Sequence, residues 1–181
     1  MKFIYFFSIF FATVLLNKAN AQNFKPTDDQ SSVKFVIKNF GINVDGSFKN
    51  LRGTINFDST HLATSNFNVT VDANTINTTS NARDNHLRKE EYFNVAAFPT
   101  ISFASDKIEK AQNPSSYIVT GRFIIKGKSK SVTIPFTAVP QTNGYLFNGK
   151  VVLNRRDFGV GGSSFILSDK LTLSLQVLAK K

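Results

Sequence analysis

Apolar and polar residues alternate at every second position through most of the chain after residue 21. The pattern is clearest near the C-terminus, where polar residues separate Leu171, Leu173 and Leu175. Because successive side chains of a β-strand point to opposite faces, this period predicts strands with one apolar face each. Eight such stretches occur without any strand–helix–strand rhythm, so the pattern predicts an antiparallel sheet.

Eight antiparallel strands of this kind can form a two-layer sandwich or a closed barrel. The barrel is favoured because the alternation is continuous along long strands and because turn pairs such as Asn143-Gly144 suit hairpins. A change of phase between Phe48 and Leu51 also predicts a β-bulge at Lys49-Asn50. We therefore predict an all-β fold, an eight-stranded antiparallel barrel of the lipocalin-like kind.

One segment, residues 82–93, has a helical pattern and lies in the long connection between the third and fourth predicted strands. Ser80 or Asn81 can cap its first turn. Glu90 and Glu91 lie late in the segment, where negative charge opposes the helix dipole, so the helix should have two to three turns at most. Long connections in compact β domains often cover a site, and this one is predicted to close one end of the barrel.

The inward register contains glycines at four positions, Gly46, Gly53, Gly121 and Gly149, beside several phenylalanines. A glycine on an inner face leaves room for a bend or for another group. This pattern favours a cavity for an apolar guest over a filled core, with ordinary packing as the alternative for each single residue. The predicted lining residues are apolar side chains of the strands and of the helical segment: Phe35, Ile37, Val44, Phe48, Phe57, Phe67, Val69, Phe103, Phe123, Phe136, Phe147, Val151, Leu87, Tyr92 and Phe93.

The first 21 residues predict a secretory signal peptide that is cleaved after Ala21. Lys2 supplies the positive charge, residues 3–16 form an apolar run, and Ala19 and Ala21 are the small residues that signal peptidase requires. As a helix the run would span about 21 Å, short of the ~30 Å hydrocarbon core, so an uncleaved anchor is the lesser alternative. Residues 22–181 then form one exported domain, periplasmic in a diderm bacterium and secreted otherwise.

The residue inventory argues against most enzymes. The chain has no cysteine, which excludes a thiolate metal site and a cysteine nucleophile. His61 and His86 are its two histidines and share no metal-binding spacing. No serine lies in a Gly-x-Ser-x-Gly elbow. An exported hydrolase is thus the second hypothesis, and we predict no catalytic residue, metal or cofactor.

The charge raises a third hypothesis, a basic protein that binds polyanions. Without Lys2 and Lys18 the chain has 20 Lys and Arg against 12 Asp and Glu, a net charge of +8. No basic stripe is interleaved with aromatics, and export argues against nucleic acid. The charge instead favours transient contact with anionic membrane surfaces. An outer-membrane barrel is disfavoured because the second register of the strands is polar.

Several segments match, in order and spacing, a family of bacterial proteins. The most specific is RDNHLRKEEYF at residues 83–93. The others are SVKFVIKNFG at 32–41, LRGTINFD at 51–58, FPTISF at 98–103, YIVTGRF at 117–123 and NRRDFG at 154–159. On these segments the chain resembles the YceI-like family, lipocalin-like polyisoprenoid-binding proteins, over nearly all of residues 22–181.

The resemblance implies a barrel with a short helix at one end and a long amphiphilic lipid in its lumen. The family's ligands are isoprenoid quinones or prenyl phosphates, and fatty amides in some members. The lipid would be held without covalent chemistry for storage, transport or sequestration. Many relatives have a histidine near the end of the first strand, where this chain has Asn39.

Arg83, His86 and Arg155 are the candidate contacts to a lipid head group. An arginine can pair with a phosphate or donate to a quinone carbonyl. The alternative, which we prefer for the two arginines, is that they fix the helical segment and a neighbouring loop to the barrel. The predicted partners are a long-chain isoprenoid or similar lipid and, transiently, an anionic membrane, whereas the sequence leaves a homodimer open.

Overall fold

Antiparallel pairing closes the sheet of this protein into a barrel. The computed structural model describes residues 22–181, so the predicted signal peptide lies outside the described residues. The strands are β1 Gln22–Pro26, β2 Ser32–Asn39, β3 Ile42–Phe57, β4 Asn66–Asn77, β5 Thr100–Lys110, β6 Ser116–Ile125, β7 Lys128–Gln141, β8 Gly144–Asn154 and β9 Leu167–Lys180. One short helix, α1 Asn81–Leu87, and two 3₁₀ turns, Leu62–Thr64 and Arg155–Phe158, accompany them.

Each strand from β2 to β9 pairs with its neighbours in sequence, and β9 pairs with β2. The wall is therefore an up-and-down, eight-stranded barrel, which confirms the predicted fold class. No helix among the described residues has the length and hydrophobicity needed to cross a membrane.

Strand β1 was absent from the sequence prediction, and it shares one place in the wall with β2. Phe24 pairs with Ile55 of β3, and Val33 of β2 pairs with Phe48 further back along the same strand. Both β1 and β2 also pair with β9. They act as one wall strand interrupted at residues 27–31, so nine segments build an eight-stranded barrel.

The predicted bulge in β3 is confirmed and is held by the interruption beside it. The register of β3 against β4 shifts on both sides of Lys49. Asn50 has φ +60°, a left-handed conformation that asparagine tolerates better than most residues. The carboxylate of Asp28 accepts the backbone N–H groups of Asn50 and Leu51 at 3.1 and 3.0 Å. A bulge of this kind bends a strand.

An aromatic cluster fills one end of the barrel, which we call the closed end. Phe57 lies at its centre, with ring centroids 5.1–5.3 Å from those of Tyr145, Tyr117 and Phe147. The rings meet edge to face, a favourable geometry for aromatic pairs. Burial, with a smaller contribution from Tyr145, raises the pKa of Tyr117 above its ordinary value of 10.0. The phenol of Tyr117 therefore stays neutral at physiological pH.

Four connections meet at the opposite end, which we call the lid end. They are residues 40–41, 78–99, 126–127 and 155–166, and we call residues 78–99 the lid. The Lys126 ammonium donates to the carbonyls of Glu91 and Gly159 at 3.1 and 2.9 Å. The Gly161 N–H also donates to Glu91 at 3.0 Å. These bonds tie the lid to two of the other connections.

The helix of the lid has the predicted length of about two turns and covers the first half of the helical pattern at residues 82–93, and its predicted cap is present. The Ser80 hydroxyl accepts the N–H of Arg83 at 3.4 Å. Beyond Leu87 the chain turns, and the N–H of Phe93 donates back to the Leu87 carbonyl at 3.0 Å. Phe93, the last residue of the helical pattern, therefore lies in this turn, and its ring centroid is 5.5 Å from that of Phe48 in the barrel.

Candidate ligand cavity

A cavity of about 410 Å³ lies inside the barrel between the aromatic cluster and the lid. Ligand sites for small molecules commonly measure roughly 300–1,000 Å³ and are lined mainly by apolar side chains. Apolar side chains form most of this lining, and the polar side chains of Arg83, His86 and Arg155 belong to the lid end. All three predicted head-group residues thus border one cavity.

The structure brings thirteen of the fifteen predicted lining residues together around this cavity. They are Phe35, Ile37, Val44, Phe48, Phe67, Val69, Leu87, Tyr92, Phe93, Phe103, Phe123, Phe136 and Phe147. That these side chains contact a lipid stays a prediction.

Two of the predicted lining residues do not border the cavity. Phe57 is 1% exposed and is enclosed by the aromatic cluster at the closed end. Val151 packs against the core of the barrel but is not part of the cavity surface. Both side chains point inward. Phe57 lies too close to the closed end to border the cavity, and Val151 is covered by its neighbours in the core.

The interpretation of the inward glycines needs correction, because phenyl rings occupy the space at two of them. A Cβ atom on Gly46 would overlap the ring of Phe35, its partner across β2 and β3. A Cβ atom on Gly121 would overlap the backbone carbonyl oxygen of Ala104 and would lie 2.7 Å from the Phe103 ring. Gly53 faces the backbone of β4 at φ +129°, and of the four only Gly149 borders the cavity.

Sequence reasoning missed the leucine-rich side of the cavity. Strand β9 contributes Leu167, Leu171, Leu173, Leu175 and Val177, and the β8–β9 connection contributes Val160 and Ile166. The alternation along β9 places these apolar side chains on the inward face, so the sequence contained a signal for them. The connection has no period and gave no signal.

A buried hydrogen-bond network holds the N-terminus of α1 to the end of β4. Asp84, 5% exposed, accepts the N–H of Thr78 at 2.8 Å and its hydroxyl at 2.6 Å. Arg83 donates from Nε to the hydroxyl oxygen of Thr78 and from Nη2 to its carbonyl, both at 2.7 Å. The Nη1 atom of Arg83 has no hydrogen-bond partner among residues 22–181. Arg83 therefore anchors the lid and also borders the cavity.

Arg155 is more fully engaged by the protein than Arg83. It is 4% exposed and donates to the carbonyls of Ser168, Val160 and Leu167 at 3.0, 2.9 and 3.4 Å. Its Nη2 atom also pairs with the carboxylate of Asp169 at 2.9 Å. These contacts fold the β8–β9 connection around the guanidinium, so the geometry favours a structural role for Arg155.

His86 and Asn39 add polar groups to the same cavity. His86 is exposed, and its ring centroid lies 4.9 Å from that of Tyr92. Asn39, at the end of β2, also borders the cavity. Within residues 22–181, no three histidine or carboxylate side chains converge as metal ligands would.

Comparison with known proteins places these features in a family. A family model described as a YceI-like domain matches residues 24–179. A UPF0312 protein of Yersinia enterocolitica is 31% identical over 154 residues, which cover 80% of this chain and 78% of that protein.

Two solved structures show the same fold. BcnA of Burkholderia cenocepacia superposes with a TM-score of 0.80 at 24% identity, covering 86% of this chain and 99% of BcnA. A domain of Saccharophagus degradans is described as polyisoprenoid binding and implicated in plant cell wall breakdown. It superposes with a TM-score of 0.70 at 13% identity. It covers 87% of this chain and 97% of that domain. With the family model and the Yersinia relative, the barrel and its lid make this chain a member of the YceI-like family.

Proposed function

We propose that this protein binds one long-chain amphiphilic lipid, without covalent chemistry, in the cavity of its barrel. The observation that carries the proposal is the apolar cavity of about 410 Å³ between the aromatic cluster and the lid. The polyisoprenoid binding described for the Saccharophagus degradans domain supports an isoprenoid tail. An isoprenoid quinone or a prenyl phosphate combines such a tail with a polar head. The proposed activity is binding, and we assign it no catalytic residue, metal or cofactor.

The tail supplies the affinity in this proposal. Burial of about ten methylene equivalents contributes ~8 kcal/mol, at ~0.8 kcal/mol each. Association costs about 4–15 kcal/mol, so the favourable balance grows with the buried length of the tail. Selectivity among tails would then follow from the length and shape of the cavity rather than from polar contacts.

The head group is proposed to lie at the lid end. The aromatic cluster blocks the other end with rings only 5.1–5.3 Å apart. Arg83 and Arg155 border the cavity at the lid end, and Nη1 of Arg83, which makes no hydrogen bond within residues 22–181, is the donor proposed to bind an anionic head group. His86 is a second candidate contact at this end.

Arg83→Ala is expected to weaken binding of a prenyl phosphate about tenfold or more while a prenyl alcohol of equal tail length binds as before. The reason is that only the phosphate needs a charged donor. Fluorescence titration with the two ligands measures this difference. Arg88→Ala is the matched control, because Arg88 also bonds the ends of β4 through Asn74 and Ile76 carbonyls but does not border the cavity. An equal loss for both ligands would assign Arg83 a purely structural role.

The physiological role proposed for the protein is storage, transport or sequestration of such a lipid outside the cytoplasm. This proposal joins the predicted signal peptide with the net charge of +8 on residues 22–181. That charge favours brief contact with anionic membranes, from which a lipid could be loaded.

The decisive experiment is solvent extraction of the protein purified from its original host, followed by mass spectrometry. We expect one lipid with an isoprenoid tail in near-stoichiometric amount. The emptied protein should then take up geranylgeraniol from dilute ethanol. A lipid-free protein that also fails to take up this prenyl alcohol would exclude the proposed function.

A further inference from the structure

Four large apolar side chains are exposed to solvent beside the lid end of the cavity. They are Phe40 and Ile42 in the β2–β3 hairpin and Phe165 and Ile166 in the β8–β9 connection, and we call them the apolar rim. Phe165 is completely exposed, Phe40 and Ile42 are each 71% exposed, and Ile166 is 46% exposed. Exposed apolar clusters on soluble proteins commonly mark surfaces that bind a partner or a membrane.

The rim is one surface although it comes from two connections. The backbone N–H of Phe40 donates to the Ile166 carbonyl at 2.8 Å. Asn39, the residue before Phe40, pairs with Leu167, the residue after Ile166. These contacts hold the hairpin and the connection side by side.

The turn that carries Phe40 has an unusual residue in a strained conformation. Phe40 has φ +51° and Gly41 has φ +76°, and Asn39 pairs with Ile42, as in a two-residue hairpin turn with positive φ at both central positions. Asparagine, aspartate and glycine suit the first of these positions, whereas a bulky residue there is uncommon. The chain thus has an exposed phenyl ring at a position whose left-handed backbone conformation suits asparagine, aspartate or glycine better. Strain of this kind is concentrated at functional sites.

The rim continues into the cavity. Ile166 and its neighbour Leu167 border the cavity directly. Ile42 lies two residues before Val44 on β3, so both side chains point to the same face of the strand, and Val44 borders the cavity. An apolar path therefore leads from the exposed rim to the interior of the barrel.

Positive charge is concentrated at this end of the molecule. The segments 38–43, 78–99, 126–130 and 155–170 contain ten Lys or Arg and five Asp or Glu, a net charge of +5. Residues 22–181 as a whole carry +8, so these segments, which extend the four connections of the lid end by a few residues into the adjoining strands, contain five of the eight excess charges. Lys38 and Lys170 are exposed on the adjacent strands β2 and β9 next to the rim. A basic surface around apolar side chains complements an anionic bilayer.

We propose that the apolar rim inserts into the surface of an anionic phospholipid bilayer and places the mouth of the cavity against the membrane. The lipid tail then passes between bilayer and barrel along the rim without exposure to water. This inference rests on the proposed function, since it describes how the barrel acquires its lipid. Insertion supplies the apolar contact, and the surrounding lysines and arginines supply the attraction to acidic head groups.

The test compares vesicle binding of the natural protein with that of the Phe40→Asn/Phe165→Ser double variant. The vesicles contain phosphatidylglycerol and phosphatidylcholine, and binding is measured by co-sedimentation at low and high salt. We expect binding of the natural protein to weaken with salt, and the double variant to bind at least ~10-fold less. Val139→Ser, a change at a 42% exposed residue near the closed end, should bind like the natural protein.

The choice of Phe40→Asn ensures that weaker vesicle binding by the double variant is not explained by unfolding. Asparagine followed by Gly41 is the preferred pair for this turn, so the variant should melt no lower than the natural protein. Uptake of geranylgeraniol from dilute ethanol should be unchanged in the double variant, because neither altered residue borders the cavity.

Three outcomes overturn the rim proposal, and each is distinct from failure of the proposed function. If the double variant binds vesicles as the natural protein does while both take up the prenyl alcohol, the rim has no membrane role. If the natural protein does not bind the vesicles, insertion is excluded. If the natural protein is instead a dimer that the double variant converts to monomers, the rim is a contact between two copies. Failure of prenyl uptake by the natural protein would exclude the proposed function itself.

Discussion

Replacement of Leu175 by tryptophan is expected to block the cavity and to weaken uptake of a long prenyl chain at least ~30-fold. Leu175 borders the cavity from β9, and its partner on β8 is Gly149, which borders the same cavity and adds no side chain to it. An indole in that space displaces about three methylene groups of a guest, each worth ~0.8 kcal/mol. Fluorescence titration with geranylgeraniol measures the change.

The matched control for this variant is Val152→Trp. Val152 lies on the neighbouring strand β8, is 60% exposed and points away from the cavity, so the same enlargement there should leave uptake unchanged. Overpacking costs about 1–3 kcal/mol, and urea unfolding separates this cost from a loss of binding. Unaltered uptake by a folded Leu175→Trp protein would contradict the assignment of the cavity as the binding site.

The second large effect is expected from Asp84→Ala, which should lower the free energy of unfolding by about 3 kcal/mol. The change removes the acceptor for two buried donors of Thr78, and each unsatisfied donor costs about 1–3 kcal/mol. For a domain of this size the melting temperature should fall by about 6–12 °C. Circular dichroism during heating and urea titration measures both quantities.

Asp84→Asn provides the comparison for this prediction. Its Oδ1 atom can still accept both Thr78 bonds, so it should lose less than half of the stability lost by Asp84→Ala. Equal melting temperatures for the two variants would show that the acceptor atom is not what stabilises the lid.

The barrel was predictable because alternation is a local property of the sequence. Odd and even positions of a strand point to opposite faces, and this parity placed ten of the thirteen predicted lining residues around the cavity. The other three, Leu87, Tyr92 and Phe93, come from the helical segment. Parity contains no information on depth along the barrel axis, which explains why Phe57 was assigned to the cavity although it lies in the aromatic cluster. Strand β1 escaped prediction because Phe24 is the only large apolar residue in its five positions.

Contacts that depend on register could not be predicted in the same way. Gly46 and Phe35 pair because the tight turn at Phe40-Gly41 sets the alignment of β2 with β3. The sequence alone does not show that the ring of Phe35 lies over Gly46 and fills the space that a side chain there would occupy. Similarly, the segment 83–93 indicates a lid, whereas the hydrogen bonds from Thr78 to the buried Asp84 depend on how the lid folds against the end of β4.

The ring-filled base of the barrel has a consequence for any guest. A barrel that is blocked at its closed end has a single opening, at the lid end. A lipid must therefore enter with the end of its tail first and leave with its head group first. The end of the tail would always be the innermost part of the bound lipid, and the head group would stay at the opening. An acceptor membrane or protein would therefore contact the head group first in every transfer. A molecule with a bulky group at each end would not bind.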